Sequence, residues 1–264
     1  MKKLLPLLAI LLFAAASAQE VAIPAKFLSS AKSGPERYIG SDSYGWQYTV
    51  LDNEFRKEKD GRMLKYKALS LGEIYRADIQ NPLQIILFYR KFNTVVLLDN
   101  QMNETSRINF SNIQEPVIAE AIGLASQNRL WMYDVTTQQI GLYSLAPGTF
   151  RTLTPPFTDG IKYYHNDYNY FYWIDTANKC YVVNLFGKVS SLGILPDYDQ
   201  VQIVSPTLIL QAKDGVLYHF NTVTGAKAPI AVVEKSFESF YYSGEILSIF
   251  TDHGITYYQL KLQQ

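Results

Sequence analysis

A short hairpin pattern that recurs six times constrains this chain most strongly. Its clearest copy runs from Leu208 to Asn221, where two alternating apolar strands flank Asp214 and Gly215. An Asp-Gly pair between such strands predicts a tight β-hairpin, because a type I′ turn needs positive φ at both central residues. Looser copies begin at Trp46, Ile85, Leu130, Phe171 and Leu247. A repeat this regular is evidence about the whole fold, not about one local structure.

The spacing of the copies predicts the architecture. The turn centres are Asp52, Arg90, Asp134, Asp175, Asp214 and Asp252. The first and last centres lie 200 residues apart, so the five intervals average 40 residues. Forty residues is the typical length of a four-stranded propeller blade. The 242 residues from Val21 to Leu262 hold six such units, and we predict an all-β, six-bladed β-propeller.

The last blade raises the question of how the ring closes. Each hairpin supplies the second and third strands of a blade, but the sixth blade has no outer strand before Gln264. Residues Val21–Leu28 form the one unassigned strand-like segment, so we expect them to complete that blade and close the ring. Five blades remain the alternative, because Glu54–Lys57 is too charged for a buried third strand. A second ambiguous segment, Glu115–Ala125, is also compatible with a short helix.

The first 18 residues have the pattern of a cleaved secretory signal. Lys2 and Lys3 precede an apolar run, which ends in small residues at Ala16–Ala18. We therefore expect a signal peptide over residues 1–18, a single domain over residues 19–264, and a periplasmic location. Later apolar runs are far shorter than the ~20 residues that a membrane helix needs, so we expect no membrane insertion by the chain itself.

Charge and motifs argue against several classes of function. The sequence has 24 basic and 24 acidic residues, and loss of Lys2 and Lys3 would leave a net charge of −2. Nucleic-acid binding needs a concentrated positive field, so we expect no nucleic-acid partner. His165, His219 and His253 stand in different blades without metal-ligand spacing. With no phosphate loop or nucleophile elbow either, we predict no metal, no cofactor and no catalytic residue.

The densest aromatic stretch runs from Tyr163 to Trp173. One interpretation is structural: two inner strands place large rings alternately on the two faces of a blade. The other is functional, since Tyr and Trp dominate the hot spots of protein interfaces. On that interpretation the turn displays a partner-binding surface at one mouth of the propeller. Its candidate residues are Tyr164, His165, Asp167, Tyr168 and Tyr170.

A propeller enzyme or lectin that acts on carbohydrate at the channel mouth is the alternative function. The segment Ser41–Trp46 is similar to the Asp-box of sialidase-type propellers, but its spacing differs by one position and it does not recur in the other blades. An enzyme should cluster charged side chains at one end of the channel. Convergence of Asp42, Asp78, His165 and Asp167 would therefore favour this alternative.

Several segments resemble a known family. They are Gln80–Tyr89, Phe92–Gln101, Thr137–Leu142, Asn169–Asp175 and Ile246–Thr251. Together they resemble exported propeller-like proteins of bacteria that carry the type IX secretion system. The similarity extends over nearly the whole chain, from Tyr38 to Leu260.

The resemblance implies a mechanical role without enzymatic activity. It points to the plug subunit of the type IX outer-membrane translocon, which covers the periplasmic opening of the translocon barrel until cargo engages. The implied partner is that outer-membrane secretion barrel or another envelope protein. The family has no catalytic signature, so the resemblance implies a role but no site residues. A propeller suits such a role, because rigid blades hold a broad face of loops at fixed positions.

Overall fold

The structure is a computed structural model that describes residues 22–32, 34, 36–232, 234 and 236–262. Within them, 25 strands form six sheets, which are the six blades of a β-propeller. The described helical structure is a single 3-10 turn, Arg90–Phe92. The predicted all-β, six-bladed fold is therefore confirmed, and the five-bladed alternative is wrong. The predicted signal peptide lies outside the described residues.

The strands follow the chain from blade to blade. Two N-terminal strands come first, β1 (Ile23–Pro24) and β2 (Lys26–Ala31). Blade 1 contains β3 (Arg37–Ser41), β4 (Gln47–Leu51), β5 (Glu54–Lys59) and β6 (Arg62–Tyr66). Blade 2 contains β7 (Arg76–Asp78), β8 (Ile85–Tyr89), β9 (Thr94–Leu98) and β10 (Glu104–Asn109). Blade 3 contains β11 (Ala119–Ala125), β12 (Arg129–Asp134), β13 (Gln139–Ser144) and β14 (Thr149–Thr152).

The second half of the ring has the same order. Blade 4 contains β15 (Tyr163–Asn166), β16 (Tyr170–Ile174), β17 (Lys179–Asn184) and β18 (Val189–Ile194). Blade 5 contains β19 (Gln200–Ser205), β20 (Leu208–Lys213), β21 (Val216–Asn221) and β22 (Lys227–Ala231). Blade 6 contains β23 (Ser239–Ser243), β24 (Ile246–Thr251) and β25 (Gly254–Gln259).

The N-terminal strands complete the last two blades. Strand β2 pairs antiparallel with β25 and becomes the outer strand of blade 6, as the sequence predicts. It occupies Lys26–Ala31, slightly later in the chain than the predicted Val21–Leu28. Strand β1 pairs parallel with β22 and adds a fifth strand to blade 5, which the sequence analysis did not predict. The N-terminal segment thus connects blades 5, 6 and 1.

Two ambiguous segments form regular strands. Most of Glu115–Ala125 belongs to β11, whose side chains are nearly all buried, and not to a helix. The charged β5 is a true third strand, because it pairs with β4 on one side and β6 on the other, and both Phe55 and Lys57 are buried. The Lys57 ammonium donates to the Asn100 carbonyl and lies 4.7 Å from the centroid of the Trp46 ring. A buried amine is tolerated when a hydrogen-bond acceptor and an aromatic face replace water around it in this way.

The core lies between neighbouring blades. Five clusters of buried apolar side chains fill the seams from blades 1 and 2 through blades 5 and 6. The seam between blades 6 and 1 differs, because its main described contacts are between aromatic rings. The centroid of the Tyr38 ring lies 5.0 Å from that of Phe250 and 5.7 Å from that of Tyr241. A cavity of about 180 Å³ lies along this seam, lined in part by Gln47 and Glu58. The closing seam is therefore the least apolar one.

The first strand of each blade lines the central channel, and all six run in the same direction along it. We call the end at which they begin the entry face and the end at which they finish the exit face. The exit face carries the turns between first and second strands. The entry face carries the turns between second and third strands, such as the 3-10 turn at Arg90–Phe92.

Candidate functional site in the central channel

The central channel includes an entry chamber and an exit chamber that share part of their lining, and a third cavity of about 500 Å³ lies beside them against His165 and Tyr241. The entry chamber has a volume of about 650 Å³ and the exit chamber about 390 Å³. The side chains that line both are Ile39, Arg76, Ala77, His165 and Tyr241. Arg76 and His165 therefore stand where the two chambers meet.

Side chains of blades 2 and 4 are joined across the inner strand of blade 3. Arg76 Nη1 donates to the Tyr164 carbonyl at 3.1 Å, and its guanidinium carbon lies 4.1 Å from the centroid of the Tyr164 ring. Asn166 Nδ2 donates to Asp78 Oδ2 at 2.8 Å. Gly123 leaves the space for this bond, because a Cβ there would lie 2.0 Å from Asn166 Oδ1. These bonds tie blades 2 and 4 to each other.

The exit chamber brings the predicted charged side chains together. Asp42, Asp78, His165 and Asp167 all line it. This is the convergence that favours the carbohydrate-active alternative. Yet no three His, Cys, Asp or Glu side chains of the described residues come close enough to hold a metal ion.

Each carboxylate of the exit chamber is already engaged by its own part of the fold. Asp42 Oδ1 accepts from the Tyr44 and Trp46 amides at 2.9 and 3.0 Å, and its Oδ2 accepts from the Tyr48 hydroxyl at 2.8 Å. Such bonds from an Asp to amides just after it stabilise a turn. The resemblance of Ser41–Trp46 to an Asp-box therefore has a structural explanation.

Asp167 and Asp78 are engaged in a similar way. Asp167 Oδ1 accepts from the amides of Asn169 and Tyr170, both at 2.8 Å. Asp78 Oδ2 accepts from the Leu124 amide at 2.8 Å in addition to the Asn166 side chain. These carboxylates hold turns and blades together, which leaves them less free to act on a substrate.

His165 is a titratable side chain that lines both chambers. Burial, and after it the positive charge of Arg76, lowers the pKa of His165 to about 4, against the opposing effect of Asp78 and Asp167. Its ring lies 5.8 Å from that of Tyr172. The imidazole is therefore neutral at neutral pH and can both donate and accept a hydrogen bond in the channel.

We expect His165 to make stability depend on pH between about 6.5 and about 4. The unfolded chain binds a proton on this side chain first, so the free energy of unfolding falls as the pH falls through that range and is unaffected above it. The contribution reaches at most about 3 kcal/mol, because the channel admits water. Urea unfolding at pH 7 and pH 4.5 measures it. His165→Gln should reduce the decrease in the free energy of unfolding between the two pH values, and His253→Gln, at an exposed turn, should not. An equal decrease in the wild type and both variants would contradict the assignment of this pH dependence to His165.

The entry chamber holds functional candidates that no sequence motif indicates. Its lining includes the cations Arg37, Arg76, Arg90 and Lys162 and one carboxylate, Glu120. These residues come from different blades and form no local motif. The sequence gives one partial signal. Arg37 begins a predicted channel strand, and a charged residue at that position indicates a polar channel wall.

The five predicted partner-binding residues do not form one surface. Tyr164 is buried, His165 lines the channel and Asp167 holds the turn. Tyr168 and Tyr170 are 39% and 40% exposed, so they are the two whose rings reach the surface. The inner rings of the stretch stack within the blade, as the structural interpretation predicted. Partner binding by this turn stays a prediction.

Exposed apolar and aromatic side chains lie in three of the loops at the exit mouth. Its loops lie side by side, because Ser43, Pro82 and Asp167 all line the exit chamber. The exposed residues next to them are Tyr44, Leu83, Tyr168 and Tyr170, which we call the exit-face patch. Loops of different blades are also bonded together: the Ser126 amide donates to the Tyr168 carbonyl at 2.8 Å. The patch is therefore held on a rigid frame.

Comparisons with known proteins identify the fold. None of the protein-family models matches the sequence, and no curated protein matches it either. Among solved structures, the chain is similar to virginiamycin B lyase from Staphylococcus aureus, with 13% identity, a TM-score of 0.58, and coverage of 84% of this chain and 79% of that chain. It is also similar to the Cps50 (Swd1) β-propeller domain from Myceliophteria thermophila, with 9% identity, a TM-score of 0.58, and coverage of 90% and 100%.

The two neighbours differ in the kind of protein that they represent, since one is a lyase and the other a propeller domain of a different protein. Identities of 9% and 13% show a shared fold and do not transfer chemistry. Within the described residues, no helix is long and apolar enough to cross a bilayer. The chain is a six-bladed β-propeller, a fold that is compatible with a protein-interaction module.

Proposed function

We propose that this chain is an exported, non-enzymatic β-propeller of the periplasm that binds an envelope protein through its exit face. The observation that carries the proposal is the exit-face patch. Combined with the resemblance to propeller-like proteins of type IX secretion, it favours a role as the plug of the outer-membrane translocon. The partner is then the large secretion barrel, and binding covers its periplasmic opening.

The composition of the patch supports protein binding. Single exposed apolar residues are common on protein surfaces, but grouped tyrosines and leucines beside a concave mouth are typical of interfaces. Tyrosine buries a large area at low entropic cost and keeps a hydroxyl for a polar contact. Leu83 and Tyr44 are each 63% exposed, so much of their surface is available to a partner.

The rigidity of the disc supports occlusion of a pore. The bonds between Arg76 and Tyr164 and between Asn166 and Asp78 tie blades 2 and 4 together. The Tyr168 hydroxyl also donates to the Gln80 carbonyl at 3.5 Å. A partner that meets the exit face therefore finds loops whose positions are already fixed, so that little conformational entropy is lost on binding.

Co-purification tests the proposed function. A C-terminally tagged chain is isolated from its native cell envelope in mild detergent, and the proteins that accompany it are identified by mass spectrometry. Stoichiometric recovery of a large outer-membrane barrel is the expected result. Recovery of the tagged chain alone, under conditions that preserve other envelope complexes, would contradict a stable plug.

A matched pair of variants locates the surface. Leu83→Asp places a charge in the exit-face patch and should reduce recovery of the barrel about tenfold or more, because an unpaired carboxylate in an interface is costly. Leu69→Asp places the same charge on the entry face, where Leu69 is 88% exposed, and should leave recovery unchanged. Both variants should keep the wild-type unfolding midpoint. Equal loss in both, or loss only in Leu69→Asp, would exclude the exit face.

A propeller enzyme or lectin that acts on carbohydrate is the second candidate. The convergence of Asp42, Asp78, His165 and Asp167 on the exit chamber favours it. A glycan array and a panel of polysaccharide substrates test this function, with His165→Gln as the control. Binding or turnover that the substitution removes would support a carbohydrate-active site and weaken the plug proposal.

A further inference from the structure

The entry chamber concentrates positive charge in a protein whose overall charge is balanced. Four cations and one carboxylate line it, whereas the full sequence has 24 basic and 24 acidic residues. The carboxylate, Glu120, lies 3.7 Å from Arg90 and so neutralises the cation nearest the rim. Arg37, Arg76 and Lys162 form no ion pair within the described part of the chain. The chamber is therefore suited to an anion.

Arg76 is the central cation of this group. Its Nη1 donates to the Tyr164 carbonyl, its Nε is buried without a partner, and no acceptor of the described residues meets Nη2. It also lines both chambers, so it lies deeper in the channel than Arg90. The carbonyl and the ring of Tyr164 hold this guanidinium, but no carboxylate of the described residues forms an ion pair with it. An anion in the chamber would form the ion pair that Arg76 lacks within the described residues.

Arg37, the neighbouring cation, likewise forms no ion pair within the described residues. Arg37 Nη2 donates to the Ile74 carbonyl at 2.8 Å, and its Nη1 donates weakly to the Tyr75 carbonyl at 3.4 Å. Carbonyl groups satisfy these hydrogen bonds but carry no net negative charge. Two guanidinium groups of the channel wall are thus held in place by backbone atoms, which orients them before a ligand arrives.

Aromatic side chains complete the chamber. Tyr38, Tyr75, Tyr163 and Tyr241 line it together with Phe240. Its volume of about 650 Å³ is that of a typical small-molecule site. Rings of this kind suit an apolar or aromatic body, while a guanidinium suits a planar carboxylate or a phosphate.

We propose that the entry chamber binds a small organic anion, with its carboxylate or phosphate group on Arg76 and its apolar body against the tyrosines. The exposed rim around Tyr75 and Arg90 gives the ligand access from the entry face. This site is separate from the exit-face patch, so the proposal of an anion site does not depend on whether the exit face binds a protein partner.

The three histidines provide a direct test in the unmodified protein. His165 lines the entry chamber, whereas His219 belongs to β21 and His253 to an exposed turn. Imidazole resonances are followed by NMR at pH 7.5 during titration with benzoate, phenyl phosphate or the uncharged benzyl alcohol. At least one of the two anions should shift the resonances of His165 and leave those of His219 and His253 unchanged. The anion that binds more tightly shows whether the chamber prefers a carboxylate or a phosphate group. Benzyl alcohol should have little effect.

Variants then test the role of the charge. Arg76→Gln keeps a donor for the Tyr164 carbonyl and should weaken binding of the anion about tenfold or more. Arg151→Gln removes an exposed arginine of β14 and should not change it. If Arg76→Gln does not fold, Arg37→Gln replaces it with the same expectation. The proposal is overturned if neither anion shifts His165 up to about 10 mM, if benzyl alcohol binds equally well, or if the folded channel variant binds as tightly as the wild type.

Discussion

A chain from which residues 22–31 are deleted is expected to lose on the order of 5 kcal/mol of its free energy of unfolding and to aggregate. The deletion removes β1 and β2, and with β2 the five paired positions along β25. Each backbone hydrogen bond contributes roughly 0.5–1.5 kcal/mol net. The loss is therefore comparable with the whole stability of an ordinary domain.

The weakness of the closing seam makes this effect larger. Tyr38 supplies the main ring contacts between blades 1 and 6, and this seam lacks a buried apolar cluster like those of the other seams in the described residues. Without the N-terminal strands, β25 also becomes an unpaired edge that can pair with another chain. Urea unfolding followed by tryptophan fluorescence, with light scattering, measures both effects.

Adding the missing segment back provides the control. A synthetic peptide of residues 22–32 should restore much of the lost stability in a concentration-dependent way, because binding to the folded state stabilises it. A peptide of the same composition in scrambled order should not. A deleted chain that unfolds at the same urea concentration as the intact chain would show that the N-terminal strands do not close the ring.

Gly123→Ala is expected to destabilise the protein by about 3 kcal/mol or more. Gly123 lies in β11, on the wall of the channel, and an added Cβ would lie 2.0 Å from Asn166 Oδ1. Asn166 would have to move, which breaks its bond to Asp78. The cost combines overpacking with the loss of a buried hydrogen bond to a charged group. Urea unfolding gives the difference in free energy.

A double-mutant cycle separates this clash from other effects. Asn166→Ala removes the side chain that meets the new methyl group. The double variant Gly123→Ala/Asn166→Ala should therefore be more stable than the sum of the two single effects predicts, by about 1 kcal/mol or more. Additive effects would mean that Gly123 and Asn166 are not in contact.

The repeat allowed most of the fold to be predicted from the sequence. Hairpins such as Leu208–Asn221 depend on residues that are close in the chain, so alternation and turn residues reveal them. The regular spacing then fixed the number of blades. Closure of blade 6 was also predictable, because one strand was missing at one end and one segment was unassigned at the other.

The errors and omissions concern contacts between residues that are distant in the chain. The charge of Lys57 argues against a buried strand. Its partners in the fold are Trp46 and Asn100, and the sequence alone does not show that they lie against it. Strand β1 was missed because two residues, Ile23 and Pro24, carry too little pattern to indicate a strand. Tertiary context decides such short or charged segments.

The candidate site was less predictable for the same reason. The turn from Tyr164 to Tyr170 is a candidate from the sequence because its polar and aromatic residues are consecutive. The bond from Arg76 to Tyr164 joins residues 88 positions apart, and no local pattern indicates it. A channel in which every blade supplies one strand is lined by residues from the entire chain, so its chemistry becomes visible only when the ring is assembled.

Photo-crosslinking tests the proposed role of the exit face most directly. A benzoylphenylalanine is placed at Tyr168 on the exit face or at Leu69 on the entry face, and the chain is irradiated in its native cell envelope. We predict a crosslink from position 168 to a large outer-membrane barrel and none from position 69. A crosslink to the barrel from position 69 alone, or none from either position, would contradict it.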